Sequence, residues 1–185
     1  MRSTISLFAL AALLSACTND SAGNAEDAGE GAADTAERSL TLKNSDGADV
    51  GSVSLRQEPS GIMLAVNVAG LEPGAKAVHL HETGDCSAGD FTSAGGHWNP
   101  EGKSHGRDNP QGAHLGDLAN LQVGEDGSGE SRYLVTGVSL SGSAPMIDDE
   151  DGTALVIHAG ADDYKSDPAG DAGDRVACVV VSTAG

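Results

Sequence analysis

Aromatic side chains are close to missing from this chain: among 185 residues there are one Trp, two Tyr and two Phe. An interior so poor in large rings is filled by aliphatic residues. The 26 glycines that accompany the shortage suit short strands joined by many turns better than long helices. Positive charge is scarce too. Ten Lys and Arg stand against 28 Asp and Glu, for a formal net charge of -18, so no basic stripe exists to neutralise phosphates, and nucleic acid is excluded as a partner. The one sustained apolar run, Ile5 to Leu14, is too short to span a bilayer. No internal repeat of the solenoid or propeller kind is visible, and the length fits one domain able to bury its own core.

The N-terminus reads as an address. Met1-Arg2 supplies a positive start, the apolar run follows, and Leu14-Ser15-Ala16-Cys17 forms a small-residue cleavage site ending in cysteine. This resembles a bacterial lipoprotein signal, in which residues 1–16 are removed and Cys17 is lipidated. An ordinary secretory signal with an incidental cysteine is the alternative, and either one implies export. Residues 17–38 are mostly Ala, Gly, Asp, Glu, Ser and Thr, a flexible acidic tether by composition. The folded domain is expected over residues 39–185, where 22 acidic and 8 basic side chains leave a charge of -14. Thr18, rather than an aspartate, after the lipid site leans towards the outer membrane by analogy with bacterial sorting. The expectation is a periplasmic domain of the cell envelope whose only membrane contact is its N-terminal lipid.

Only three cysteines are present. With Cys17 set aside, Cys86 and Cys178 form an even pair in an oxidising compartment and are expected to be bonded, closing a long loop worth about 4 to 5 kcal/mol in the chain-entropy model. Two soft copper ligands are the alternative reading, although the flanking residues lack metal-type spacing.

From Ser39 the pattern is that of strands. Ile62, Leu64, Val66 and Val68 alternate with Met63, Ala65, Asn67 and Ala69, the period-two signature of a strand with one buried face. Further strands are expected at Leu40–Lys43, Val50–Leu55, Ala77–His81, Leu118–Val123, Glu130–Thr136, Ala154–His158 and Val176–Ser182, separated by turns such as Asn44-Ser45-Asp46-Gly47. Eight short strands predict an all-β fold, an antiparallel Greek-key sandwich or flattened barrel. No segment has helical periodicity. Between His81 and Leu118 lie 36 polar, glycine-rich residues, too many for a plain loop unless something pins it. A second irregular stretch, Ala159 to Asp174, follows His158.

All six histidines fall in or beside these segments: His79, His81, His97, His105, His114 and His158. His79 and His81, two apart on an expected strand, project from one face and can meet one ion. His97, His105, His114 and Asp117 offer three imidazoles and a carboxylate, a set that suits a closed tetrahedral zinc site. His158 ends the apolar run Ala154-Leu155-Val156-Ile157, where a lone histidine is more often a satisfied core residue. Five other histidines in search of a partner weigh against that.

Taken in order, Gly95-Gly96-His97-Trp98-Asn99-Pro100, His105-Gly106, His114-Leu115-Gly116-Asp117-Leu118 and Gly173-Asp174-Arg175-Val176-Ala177-Cys178 resemble the copper/zinc superoxide dismutases over Ser39 to Ala184. That family is itself a standard member of the sandwich class, so the agreement on fold is not independent. The resemblance implies two cofactors: copper held by His79, His81, His97 and His158, and zinc held by His97, His105, His114 and Asp117, with His97 shared. It implies that Asp162 ties His79 to His105 and that Arg175 docks the anion. The reaction implied is dismutation of superoxide to oxygen and hydrogen peroxide, with copper cycling, zinc fixed and His97 carrying a proton. Superoxide dismutases are standard cases of steered, access-limited catalysis. Lys103, Arg107 and Lys165 are weaker guidance candidates.

Two departures from the family stand out. Asp167-Pro168-Ala169-Gly170 occupies the region that often carries a lysine, and Val179 replaces the usual glycine after the second cysteine. A non-catalytic metal store and a structural module on a lipid tether remain as other classes, and a homodimer is left open.

Overall fold

The computed structural model describes residues 37–143 and 145–185. The expected signal, Cys17 and nearly all of the tether lie outside the described residues. Nine strands follow in order: β1 (Arg38–Asn44), β2 (Asp49–Glu58), β3 (Gly61–Val68), β4 (Gly74–Lys76), β5 (Val78–His81), β6 (Leu121–Val123), β7 (Gly129–Thr136), β8 (Thr153–His158) and β9 (Arg175–Ser182). All eight expected strands are present. The sixth narrows to three residues, and the ninth, β4, is a three-residue strand paired antiparallel with β6. No α-helix occurs among the described residues; one 3-10 turn spans Thr92–Ala94.

The larger sheet has the order β5-β8-β9-β1-β2-β3-β7 and is antiparallel throughout. Strands β1 and β9 share only two residue pairs, Lys43 with Cys178 and Asn44 with Ala177. Beyond them the sheet opens and folds over its own inner face. Alternation decides what fills the interior: Ile62, Leu64, Val66 and Val68 of β3 face inward with Val53 and Leu55 of β2. Across from them lie Leu80 of β5 and Leu155 and Ile157 of β8, in one contiguous core. Val179 is buried in that core as well.

Strands β5 and β8 are buried along their whole length, on both faces. Ala154 and Val156 of β8 pack with Phe91, Ala94 and Cys178 in a second, smaller core beneath the 36-residue loop. The disulfide Cys86–Cys178, with Cα atoms 5.9 Å apart, fastens that loop to β9. The loop also runs beside β5 and covers its free edge: Leu80 donates to the Gly116 carbonyl at 2.9 Å, and Trp98 donates to the Leu80 carbonyl at 2.8 Å. A Cβ on Gly116 would sit 2.4 Å from the Leu80 carbonyl oxygen, so only glycine permits this approach.

Candidate metal centre

Because side chains alternate along a strand, β5 sends Val78 and Leu80 into the main core and His79 and His81 to the opposite face. There the covering loop brings His97 against His81 and Asp117 against His79 as isolated backbone bridges. His158 arrives from the end of β8, where a bulge between Ile157 and His158 breaks the register opposite Arg175. His158 is buried, and its ring joins the other histidines. Two groups of side chains result, His79, His81, His97 and His158, and His97, His105, His114 and Asp117, each with ligand atoms within 4.8 Å of one another. His97 is common to both.

Tautomers in the first group are set by what lies behind each ring. Nε2 of His79 donates to Oδ2 of Asp162 at 2.9 Å, Nδ1 of His81 to the Gly95 carbonyl at 3.0 Å, and Nδ1 of His158 to the Gly173 carbonyl at 3.1 Å. Carbonyl and carboxylate oxygens only accept, so each outward nitrogen carries the hydrogen and each inward one is a bare lone pair. Nδ1 of His79 and Nε2 of His81, His97 and His158 are all buried with no hydrogen-bond partner. Each orphaned nitrogen costs about 1–3 kcal/mol, and a cation at the point where the four converge removes that cost. Burial keeps the rings neutral: it pushes the pKa of His79 and His158 down to about 4 and that of His81 to about 2, against the hydrogen bonds to Asp162, Gly173 and Gly95 that work to raise them. The pKa of His97 is lowered by burial too, against the pull of Asp117.

In the second group everything turns on one carboxylate oxygen. Oδ1 of Asp117 lies 2.9 Å from Nδ1 of His97, 3.1 Å from Nδ1 of His105 and 3.1 Å from Nδ1 of His114, and the Nδ1 atoms of His97 and His114 are 3.4 Å apart. A tetrahedron with zinc-to-ligand bonds of 2.0–2.1 Å has an edge of about 3.3 Å. His105 makes the need for an ion plain. Its Nε2 donates to Oδ1 of Asp162 at 2.9 Å, so in the neutral ring Nδ1 is a lone pair facing a carboxylate oxygen. That is a repulsive contact, which a shared cation makes attractive. Burial works to raise the Asp117 pKa, but the hydrogen bonds from His97 and the Gly106 N–H outweigh it and hold the group ionised.

Asp162 is fully buried and joins the two groups through His79 and His105. Arg175 lies half-buried at the edge of the first group, donating from Nη1 to the Phe91 carbonyl and from Nη2 to the Gly95 carbonyl, both at 2.7 Å. Its other N–H groups make no hydrogen bond to the described residues. Of the guidance candidates, Lys103 is paired with Glu101 at 2.6 Å, Arg107 lies over the Tyr164 ring, and Lys165 is exposed. Asp167, in the stretch where a lysine is usual, accepts the backbone N–H of His105 at 2.6 Å. The sequence assigns no role to Gly95 and Gly173, which stand in the motifs, or to Asn120 and Tyr164. The first two act through carbonyls, which no residue type announces. Asn120 grips the backbone of Asp162 from 42 positions away.

The family model described as copper/zinc superoxide dismutase matches residues 50–181. Superoxide dismutase [Cu-Zn] 2 of Aquifex aeolicus is 46% identical over 142 residues, which cover 76% of this chain and 83% of that one. Among solved structures, a SOD-like protein from Bacillus subtilis has a TM-score of 0.72 at 40% identity, covering 76% of this chain and 95% of that one. The Cu/Zn superoxide dismutase from Brucella abortus has a TM-score of 0.64 at 28% identity, with 78% and 99% covered.

Proposed function

Because the chain belongs to the copper/zinc superoxide dismutase family, with superoxide as substrate and copper and zinc as cofactors, we propose that its two side-chain groups divide those metals between them. His79, His81, His97 and His158 would hold copper, whose preference for imidazole nitrogen they match; His97, His105, His114 and Asp117 would hold zinc in a closed site. The observation that carries this reading is the set of four buried, partnerless nitrogens, three of them turned inward by a hydrogen bond on the far side of the ring and the fourth, on His97, backed by the contact with Asp117.

Bound in the first group, copper supplies a one-electron couple that takes an electron from one superoxide, leaving oxygen, and gives it to a second, which with two protons becomes hydrogen peroxide. The protein's part is to hold the rings, admit the anion and deliver a proton. His97, the residue common to both groups, would hold both ions after losing its ring proton, a loss that two adjacent dications would favour. Its Nδ1 lies against Asp117 and its Nε2 has no partner, so Nε2 would be the atom that takes a proton from solvent and gives it to the reduced substrate. Arg175 keeps two of its five donors on carbonyls, and the remaining donors give an incoming oxyanion a fixed positive partner. Asp162 orients His79 and His105 without touching substrate.

The test is metal analysis together with superoxide consumption on one purified sample. Wild-type protein binds one copper and one zinc per chain and consumes superoxide catalytically, while His97→Ala and His158→Ala do not; turnover retained in either variant overturns the assignment. Lipidation of Cys17 and anchoring in the outer membrane would place this activity in the periplasm, and incorporation of radiolabelled fatty acid that disappears in Cys17→Ser checks it. Light scattering decides between the monomer and the homodimer.

A further inference from the structure

Tyr164 sits in the second long loop with φ at +63°, a left-handed backbone that a bulky residue adopts only where its surroundings hold it. Its N–H donates at 2.6 Å to Oδ1 of Asp162, the oxygen that also accepts Nε2 of His105. Its carbonyl accepts the N–H of Asp108 at 3.0 Å and lies so close to Gly106 that a Cβ there would meet it at 2.1 Å. The phenol oxygen accepts the N–H of Asn120 at 2.9 Å, and the guanidinium of Arg107 stacks 3.7 Å from the ring centre. Asn120 in turn holds the backbone of Asp162 from both sides, donating to its carbonyl at 3.0 Å and accepting its N–H at 2.9 Å. Every hydrogen-bonding group of Asp162 that does not serve a histidine is thus tied to Tyr164 or Asn120, and Tyr164 ties Asn120.

We propose that Tyr164, roofed by Arg107, is the positioning residue that joins the 82–117 loop to the 159–174 loop and so fixes the carboxylate on which the ring directions of His79 and His105 depend. The inference rests on the reading of His105 as a zinc ligand. Nδ1 of His105 points where Asp162 lets it point, and an ion enclosed by both loops leaves only when they part. The Arg107 charge is spent on the ring, as a clasp between loops rather than as a guide for substrate.

Zinc-loaded, copper-free protein tests this, read by the rate of zinc transfer to a chromophoric chelator and by the visible bands of the cobalt(II)-substituted form. Tyr164→Phe keeps the ring and its stack but removes the acceptor for the Asn120 N–H, and should release zinc about ten-fold faster. Arg107→Gln, a change at an exposed residue, should release it about two- to five-fold faster. Both variants should alter the cobalt bands, whereas a merely general loss of stability would lower the denaturation midpoint of the metal-free protein and leave those bands alone. Asp162→Asn serves as the reference and should exceed either variant. Wild-type release and an unchanged spectrum in Tyr164→Phe and Arg107→Gln, beside fast release in Asp162→Asn, overturn the role of Tyr164. Wild-type release in Asp162→Asn as well overturns the zinc assignment of His105 together with it.

Discussion

For a single imidazole the deciding matter is which nitrogen is bare, and the protein settles it with oxygens that can only accept. One consequence is acid sensitivity with a definite sign. His79 and His158 titrate near 4 and His81 near 2 in the folded chain, against about 6.5 when unfolded. Between those limits the unfolded chain binds more protons, so the stability of the metal-free protein is complete above about pH 6.5 and is lost as pH falls towards 4. The depressed carboxyls of Asp117 and Asp162 add to the loss at lower pH. Denaturant midpoints of metal-free protein measured between pH 7 and 4 should decline across this window; a flat profile would contradict the buried neutral rings. Asp117 gives a second expectation at this scale. Its Oδ1 meets three imidazole nitrogens, and its Oδ2 accepts the backbone N–H groups of Gly106 at 2.9 Å and His114 at 3.0 Å. Asp117→Ala removes both anchors and should weaken zinc at least about 100-fold while copper still loads, as metal analysis against a zinc buffer would show.

Among the elements, the covering loop carries most of the chemistry, and the disulfide holds it down. Cys86 lies in the same loop as Phe91 and Gly95, whose carbonyls grip Arg175, and the Gly95 carbonyl also fixes the tautomer of His81. Cys86→Ser with Cys178→Ser should lower stability by about 4 to 5 kcal/mol, seen as a lower denaturant midpoint, since the bridge joins residues 92 positions apart. It should also slow superoxide consumption, and adding Arg175→Gln should then cost little more, because both changes remove the same docking geometry. Alternation made β3 legible from its sequence, and the pair His79 and His81 declared a shared face for the same reason. Strand β4 was not legible: Gly74-Ala75-Lys76 has no pattern of its own and exists because β6 offers it a partner. Leu118 to Asn120 look strand-like in sequence, yet Leu118 donates to the Val78 carbonyl and Asn120 turns to Asp162, leaving only Leu121–Val123 to pair. The candidate ligands could be picked out because histidine is rare here and all six fall in or beside the clustered segments. Apart from Asp162, which the family resemblance implied, the groups that aim them could not, because they are carbonyls and amides brought together only by the fold.

Across the whole domain, 22 acidic and 8 basic side chains set an average field that repels a superoxide anion. The local balance near the metal groups is narrower than that total suggests. Lys103 is neutralised by Glu101, Arg107 is stacked on Tyr164, and Asp167 stands where a lysine would help. Among the described residues Arg175 is the cation that acts on His81 and His158, and Asp90 lies close enough to act on its charge. At low salt the screening length is tens of ångströms and the whole acidic domain is felt; at physiological salt it is about 8 Å and Arg175 dominates what the anion meets. Two opposing fields with different ranges respond to salt in different ways. In wild-type protein the second-order rate of superoxide consumption should first rise with ionic strength, as distant repulsion is screened, and then fall, as the attraction of Arg175 is screened as well. Arg175→Gln removes the short-range attraction and leaves repulsion alone, so its lower rate should rise with salt over the whole range. Pulse radiolysis at a series of ionic strengths reads both curves, and a variant whose rate falls with salt as the wild type does would show that some other cation guides the substrate.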